Sequence, residues 1–249
     1  MQDMENKFNI SRRHALGLAA AGLTAPLFPQ TAMAEPAPVL VELFTSQGCS
    51  SCPPADQLAS QLKSQPGVTV VTFNVDYWDY LGWRDTLAKP EYTKRQTDYA
   101  HSRGDMDVYT PQMVINGDSH AVGSNQDTVQ KAIASARRRV SNLQLHLSAT
   151  EKELIVNLPK GEAGVEATLW ILAVAPVVTV IIERGENSGK SITYQNVVRN
   201  LVPAGMWDGS AATLKLPRKG IMTGDSKSCI AVLQKGKVGP VLGMAQWQV

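Results

Sequence analysis

The sequence has little net charge and, beyond its first 34 residues, no apolar run long enough to span a membrane. Its 24 lysines and arginines nearly balance 22 acidic residues, which gives a formal net charge of +2. Apart from residues 137–139 the basic side chains are scattered, so nucleic acid is not an expected partner. The apolar stretch at residues 167–182 is interrupted by Pro176, which favours two strands over a membrane-spanning helix.

Cysteine is also scarce, with three residues in the whole sequence: Cys49, Cys52 and Cys229. A second Cys-x-x-Cys pair is missing, so the sequence lacks the ligands for a four-thiolate zinc site. If Cys49 and Cys52 form a bridge, one thiol remains. Cys229 lies in an apolar, strand-like run, and we expect it to be a small buried hydrophobe rather than a third redox partner.

The first 34 residues have the features of an export signal. A serine and two arginines at residues 11–13 precede a modestly apolar run at residues 15–28, and a small-x-small cleavage site follows at residues 32–34. The paired arginines resemble a twin-arginine signal, which an export system for folded proteins recognises. We expect the signal to be cleaved and the protein to be periplasmic or secreted. A general secretory signal and an uncleaved anchor are the alternatives.

The order of elements around the cysteine pair predicts a βαβ unit. Residues 39–44 form an apolar run interrupted only by Glu42, which suits a buried strand. Prolines directly after Cys52 and an acidic Asp56 are typical of the first turn of a helix. Residues 68–75 predict the next strand. In this context a Cys-x-x-Cys pair is typical of a redox motif rather than of half a zinc site.

The remaining elements predict two domains. Residues 76–108, which are rich in aromatic and charged side chains, predict a helical insertion. A hairpin with an Asn116-Gly117 turn and a helix then complete a first domain, residues 35–141. From residue 143 the apolar period changes to two, and several short strands predict a β-sandwich-like second domain, residues 142–249, with the boundary near Ser141.

The position of the cysteines predicts their roles. A cysteine just before a helix lies at the positive end of the macrodipole and near unpaired backbone N–H groups, which favour the thiolate. Cys49 is therefore the predicted nucleophile. Cys52, one turn further in, would resolve the mixed disulfide by attacking Cys49. A permanent structural disulfide is the alternative for the pair.

Three strings resemble the thioredoxin superfamily: residues 39–44, Cys49-Ser50-Ser51-Cys52-Pro53 and Thr110-Pro111. The resemblance implies an α/β thioredoxin-like fold for the first domain and a redox-active Cys49–Cys52 pair. It also implies a cis-proline at Pro111 that packs against the disulfide, and a buried acid at Glu42 that assists proton transfer. Glu42 satisfied by backbone donors, with no part in proton transfer, is the alternative.

More narrowly, nearly all of the mature chain resembles the exported family called domain of unknown function 1223. The strings that carry this resemblance are residues 44–56 (FTSQGCSSCPPAD), residues 76–80 (DYWDY) with Gly82-Trp83, and residues 184–187 (RGEN). The family name does not indicate an activity.

The predicted function is an exported thiol-disulfide oxidoreductase that acts on protein or small-molecule thiols and disulfides through Cys49 and needs no cofactor. One alternative is Cu(I) binding by the same thiolates, with His101, His120 or Met113 as further donors. Another is a non-enzymatic binding module with a structural disulfide. The aromatic residues at positions 77–83 are expected to pack the inserted helix rather than to grip a substrate.

Overall fold

The structure is a computed structural model that describes residues 38–139 and 143–249. The predicted export signal and the predicted boundary near Ser141 lie outside these residues. The strands are β1 (Val39–Thr45), β2 (Val68–Asn74), β3 (Gln112–Ile115), β4 (Ser119–Val122), β5 (His146–Ala149), β6 (Glu153–Leu158), β7 (Ala167–Ile181), β8 (Ser191–Trp207), β9 (Ala212–Pro217), β10 (Ser228–Lys235) and β11 (Val241–Gln248).

The helices of the described residues are α1 (Pro53–Lys63), α2 (Pro90–Arg103), α3 (Gln126–Arg137) and the short α4 (Arg218–Ile221), with a 3₁₀ turn at Asp79–Leu81. The predicted insertion contains this turn and α2. Within the described part of the chain, none of the helices combines the length and the apolar character that crossing a bilayer requires.

One mixed sheet of eight strands draws on both halves of the chain, in the order β11-β10-β7-β8-β2-β1-β3-β4. β8 joins β2 in parallel at the pair Thr72 and Val197. Two side chains strengthen this junction. Thr72 Oγ1 donates to the Gln195 carbonyl at 2.7 Å, and Asn196 Nδ2 donates to the Val70 carbonyl at 2.8 Å. The junction makes the two halves one sheet.

The predicted fold class, an α/β thioredoxin-like domain followed by a β-sandwich-like domain, is wrong. The described chain is mostly β, and β7, β8, β10 and β11 continue the sheet of β1–β4 instead of forming a sandwich. The other three strands form a small sheet in the order β5-β6-β9. Alternating apolar residues indicate which face of a strand is buried but not which strand lies beside it, so periodicity did not reveal the junction of β2 with β8.

The side chains of β1 alternate between two cores. Val41 and Leu43 pack on one face with α1 and α3. Phe44 packs on the other face with Tyr92 and Tyr99 of α2. At the far half of the sheet, the small sheet packs against β7 and β10 in a third core. Successive side chains of a strand point to opposite faces, so a residue's position along β1 decides which core it joins.

The predicted Asn116-Gly117 hairpin is confirmed, and its turn forms hydrogen bonds with residues of β1 and β11. Asn116 Oδ1 accepts from the Leu40 N–H at 2.7 Å, and the Asn116 carbonyl accepts from the Val241 N–H at 2.8 Å. Gly117 has a φ of +67°, and a Cβ there would overlap the Gly239 carbonyl. The turn between β3 and β4 therefore touches the turn between β10 and β11, although these hairpins form opposite ends of the sheet.

A buried polar network on the α2 face links β1 to β10. Arg95 Nε donates to Glu42 Oε1 at 2.9 Å, and Tyr99 OH donates to Glu42 Oε2. Arg95 Nη2 also donates to Gln234 Oε1 at 2.7 Å. All four side chains are buried. A buried carboxylate is costly unless it is paired and hydrogen-bonded, so Glu42 and Arg95 depend on each other.

We expect Arg95→Met to lower the free energy of unfolding by about 3–5 kcal/mol, because the Glu42 carboxylate would stay buried without its cation. Urea denaturation at pH 7, followed by tryptophan fluorescence, measures the loss. Arg199→Met is the matched control, since Arg199 pairs with Asp225 at a partly exposed site where the expected loss is below about 1 kcal/mol. Equal losses in the two variants would contradict the prediction.

Candidate functional site

Cys49 and Cys52 form a disulfide at the beginning of α1, with their Cα atoms 5.4 Å apart. Cys52 is the N-cap residue, and the helix begins at Pro53 because proline needs no hydrogen-bond partner for its nitrogen in the first turn. Cys49 is 3% exposed and Cys52 is 0% exposed. Both cysteines are therefore buried, and Cys49 keeps slightly more exposed surface than Cys52.

The first turn of α1 offers fewer free amides than the sequence suggests. Its two prolines have no N–H, and the N–H groups of Ala55 and Asp56 both donate to the Cys52 carbonyl, at 2.8 and 3.2 Å. The Ser51 hydroxyl lies 3.4 Å from Cys49 Sγ. A Cys49 thiolate would therefore be stabilised mainly by the helix macrodipole and by Ser51.

Pro111 lies close to the first turn of α1. The Thr110–Pro111 peptide bond is cis, the conformation that the resemblance implied. A Cβ added to Gly123 would lie 3.0 Å from Ala55 Cβ and 3.3 Å from Pro111 Cβ. Pro111 and Ala55 thus flank the same glycine, and the structure brings Pro111 to the end of the helix that carries the disulfide.

Trp78 connects the cysteine loop to the proline loop. Its Nε1 donates to Thr110 Oγ1 at 2.7 Å. A Cβ added to Gly48 would lie 3.1 Å from the Trp78 carbonyl oxygen and 3.2 Å from Trp78 Cβ, so glycine permits this close approach. Trp78 also stacks on Tyr80, which is 76% exposed. The aromatic residues of the insertion therefore border the site as well as pack the insertion.

Glu42 is not brought to the cysteines. Its side chain joins the α2 face of β1, where Arg95 and Tyr99 hold it. Helix α1, which follows Cys52, covers the opposite face together with Leu43. The sheet separates the carboxylate from the helix that carries the disulfide.

A buried polar cluster lies on the α1 face instead, at the ends of β1 and β2. Its members are Thr45, Asp56, Asn74, Asp85 and Tyr194. Thr45 and Asn74 are paired residues of β1 and β2, and Asn74 Nδ2 donates to Asp85 Oδ2 at 2.9 Å. Among the described residues, neither carboxylate oxygen of Asp56 has a hydrogen-bond partner of good geometry. Asp56 lies four residues after Cys52, so the two share one side of the helix.

Burial sets the protonation of this cluster. Desolvation raises the pKa of Asp56 well above its ordinary value, the charge of Asp85 adds to the rise, and the Thr45 hydroxyl opposes it. Desolvation likewise raises the pKa of Asp85, against hydrogen bonds from Gln47 and Asn74. Burial therefore favours the neutral carboxylic acid at Asp56. The sequence suggested only that Asp56 complements the helix dipole. It did not indicate the raised pKa, because that depends on burial in the folded chain.

A turn from the C-terminal half contacts the cysteine loop. Asn187, between β7 and β8, is buried, and its Nδ2 donates to the carbonyls of Gln47 and Cys49 at 3.0 and 2.8 Å. Trp83 Nε1 donates to Gln47 Oε1 at 2.8 Å. Sequence reasoning missed Asn187 because 138 residues separate it from Cys49. The RGEN string, which ends at Asn187, was the one available signal.

The further donors of the copper alternative are not gathered at the cysteines. Met113 is packed in the core beside Leu43. Within residues 38–139 and 143–249, the group with the spacing of a metal site is Asp105, Asp107 and His120, which contains no cysteine. Arg103 Nε and Nη2 already donate to the two carboxylate oxygens of Asp105.

Cys229 lies buried in β10 as a free thiol, which confirms the expectation of a small buried side chain. Burial raises its pKa to about 12. The thiolate is the reactive form of cysteine, so burial disfavours reaction at Cys229 at neutral pH.

The chain belongs to the family described as “Protein of unknown function (DUF1223)”, whose profile matches residues 40–234. Protein AGR_C_4864 from Agrobacterium tumefaciens, which has a crystal structure, shares 31% sequence identity with this chain. The match has a TM-score of 0.75 and covers 86% of this chain and 95% of that chain. HBP35 of Porphyromonas gingivalis is 13% identical, with a TM-score of 0.58 over 86% of this chain and 76% of that chain, and shares the fold alone. The curated proteins contain no significant match.

We expect Ser51→Ala to slow the alkylation of reduced Cys49 by iodoacetamide at pH 7 by about three to ten times, because the thiolate loses a hydrogen-bond donor. Mass spectrometry of the Cys49 peptide gives the rate. Ser50→Ala, at the neighbouring exposed position, is the control and should leave the rate unchanged. Equal rates for wild type and Ser51→Ala would show that the hydroxyl does not stabilise the thiolate.

We expect Asp56→Asn to be more stable than wild type at pH 7, with a gain that disappears as the pH falls to about 3.8, the ordinary pKa of the carboxyl. Between that value and its raised folded pKa, native Asp56 keeps a proton that the unfolded chain has lost. The free energy of unfolding of the wild type therefore falls by about 1.4 kcal/mol for each pH unit that the pH rises in this window.

Urea denaturation at several values between pH 4 and pH 7 measures the difference. Asp127→Asn, in the exposed first turn of α3, is the control and should not gain stability at neutral pH. Parallel stability profiles for Asp56→Asn and wild type would contradict the raised pKa.

Proposed function

We propose that the chain is an exported thiol-disulfide oxidoreductase that cycles Cys49 and Cys52 between disulfide and dithiol. The observation that carries the proposal is a disulfide at the N-terminus of an 11-residue helix, in which the outer cysteine residue is slightly more exposed than the inner one. Substrates are protein or small-molecule thiols and disulfides, and no cofactor is required because the sulfur pair itself holds the two electrons. Export rests on the predicted signal in residues 1–34.

A purely structural role for the disulfide is less well supported. The two cysteines are three positions apart, and so short a loop removes little entropy from the unfolded chain. The bond also links no separate elements, since both cysteines belong to the segment that leads into α1. Three apolar cores and a continuous sheet already hold the surrounding structure together.

The reaction proceeds through a mixed disulfide on Cys49. A substrate thiolate attacks Cys49 Sγ, the Cys49–Cys52 bond breaks, and its electron pair leaves on Cys52 Sγ. A second substrate thiolate then attacks the substrate sulfur of the mixed disulfide and releases Cys49 as a thiolate. The substrate is oxidised to a disulfide and the pair is reduced to a dithiol. The reverse steps reduce a substrate disulfide.

The Cys52 thiolate formed in the first step is buried, and an unpaired buried charge is costly. Asp56 is favoured as the acid that gives this thiolate a proton, since it shares the helix face of Cys52 and burial favours its protonated form. Glu42 is a weaker candidate because Arg95 and Tyr99 engage its carboxylate on the other side of the sheet. The superfamily resemblance thus supports the proposal through the cysteine motif and Pro111, and not through Glu42.

The test is catalysis of disulfide exchange by the purified full chain. With reduced ribonuclease as substrate and a glutathione buffer, we expect recovery of ribonuclease activity at least about ten times faster than with free cysteine at equal thiol concentration. Cys49→Ser should abolish the acceleration, whereas Cys229→Ser, which changes the buried thiol, should keep it. Wild type that is no faster than free cysteine would refute the proposal.

A second measurement identifies the attacking sulfur. Cys52→Ala should accumulate a mixed disulfide with the substrate on Cys49, visible by mass spectrometry and removed by reductant, because the resolving thiol is missing. Cys49→Ala should accumulate much less, since Cys52 is fully buried as a residue and lies one turn further into the helix. Equal trapping on the two sulfurs would contradict the assigned roles.

A further inference from the structure

The turn between β7 and β8 contains a buried polar residue among exposed neighbours. β7 and β8 remain paired as far as Ile181 and Ser191, and residues 182–190 form the turn at the end of this hairpin. Asn187 is buried, while Glu186 and Ser188 on either side of it are exposed. A buried amide side chain needs hydrogen-bond partners, and the cysteine loop supplies them.

Asn187 uses both ends of its amide group. One nitrogen, Nδ2, donates to the carbonyls of Gln47 and Cys49, and Lys190 Nζ donates to Oδ1 at 2.8 Å. The opposite orientation of the amide would place its oxygen against two carbonyl oxygens and its nitrogen against an ammonium group. The partners therefore fix which end faces the cysteine loop.

The turn is held against the insertion, and the insertion also holds the cysteine loop. Gly185 has a φ of +76°, and a Cβ there would lie 3.1 Å from Trp83 Cβ and 3.2 Å from the Leu81 carbonyl oxygen. Trp83 Nε1 in turn donates to the Gln47 side chain. The insertion therefore holds Gln47 through its side chain and its backbone N–H, and Asn187 holds its carbonyl.

This arrangement matters most when the disulfide is open. In the oxidised protein the sulfur–sulfur bond itself keeps Cys49 next to Cys52. In the dithiol form the position of Cys49 depends on hydrogen bonds, of which the bond from Asn187 to the Cys49 carbonyl comes from outside the loop. Two groups held in the right geometry react as if present at high concentration.

We propose, on the basis of the redox function proposed above, that Asn187 is a positioning residue that keeps Cys49 within reach of Cys52 in the dithiol form. The C-terminal half thereby completes a site whose cysteines belong to the N-terminal half. Asn187 favours formation of the disulfide because it already holds Cys49 near Cys52, so Cys49 loses less conformational freedom when the bond forms.

The equilibrium between the Cys49–Cys52 pair and glutathione tests this role. Asn187→Ala should lower the equilibrium constant for disulfide formation about tenfold, which makes the reduction potential about 30 mV less negative. Mass spectrometry of alkylated samples across a series of glutathione ratios gives the constant. A merely structural role would destabilise the oxidised and reduced proteins equally and would leave the potential unchanged.

Ser188→Ala is the matched control in the same turn, since Ser188 Oγ donates to the Glu183 carbonyl and not to the cysteine loop. Its potential should equal that of wild type. If Asn187→Ala shifts the potential no more than Ser188→Ala does, the positioning role is overturned.

Lys190→Met gives an independent readout if Asn187→Ala does not fold. It leaves the amide in place but removes the ammonium group that orients it, so we expect a shift in the same direction of about threefold. An unchanged potential in that variant would overturn the role. The glutathione equilibrium is a property of the sulfur pair, so it can be measured even if wild type fails to accelerate exchange, and the two failures remain distinguishable.

Discussion

The junction of β2 with β8 is the constraint on which the rest of the structure depends. It consists of one backbone pair, Thr72 with Val197, and two side-chain hydrogen bonds that Thr72 and Asn196 donate to the facing strand. Asn196 has a φ of +45°, a conformation that asparagine tolerates better than most residues. Since this junction makes one sheet of both halves, the hairpin of β7 and β8 can carry Asn187 to the loop of Cys49.

The same sheet separates two buried acids, Glu42 and Asp56, whose surroundings differ. Glu42 faces α2 and is matched by Arg95, a fixed ion pair that contributes to folding only if complete. Asp56 faces the other core without a cationic partner, so its burial is compatible with a neutral carboxyl. A fully paired acid is suited to a structural role. An acid whose charge is suppressed by desolvation is suited to exchanging a proton.

Sequence reasoning recovered what is encoded locally. The cysteine pair before a helix, the strands on either side of it and the Asn116-Gly117 hairpin depend on neighbouring residues and were predictable. The partner of β8 was not, because alternation defines the faces of a strand and not its neighbours. The contact of Asn187 with Cys49 depends on that same pairing, and the location of Glu42 relative to the disulfide depends on which face of β1 the helix α1 covers, so the sequence alone could not place them.

The network around Glu42 has a consequence for when the protein can fold. Gln234 of β10, which binds Arg95, follows it by 139 residues, so a growing chain cannot close this core until β10 has left the ribosome. This core therefore closes only after most of the chain has been synthesised.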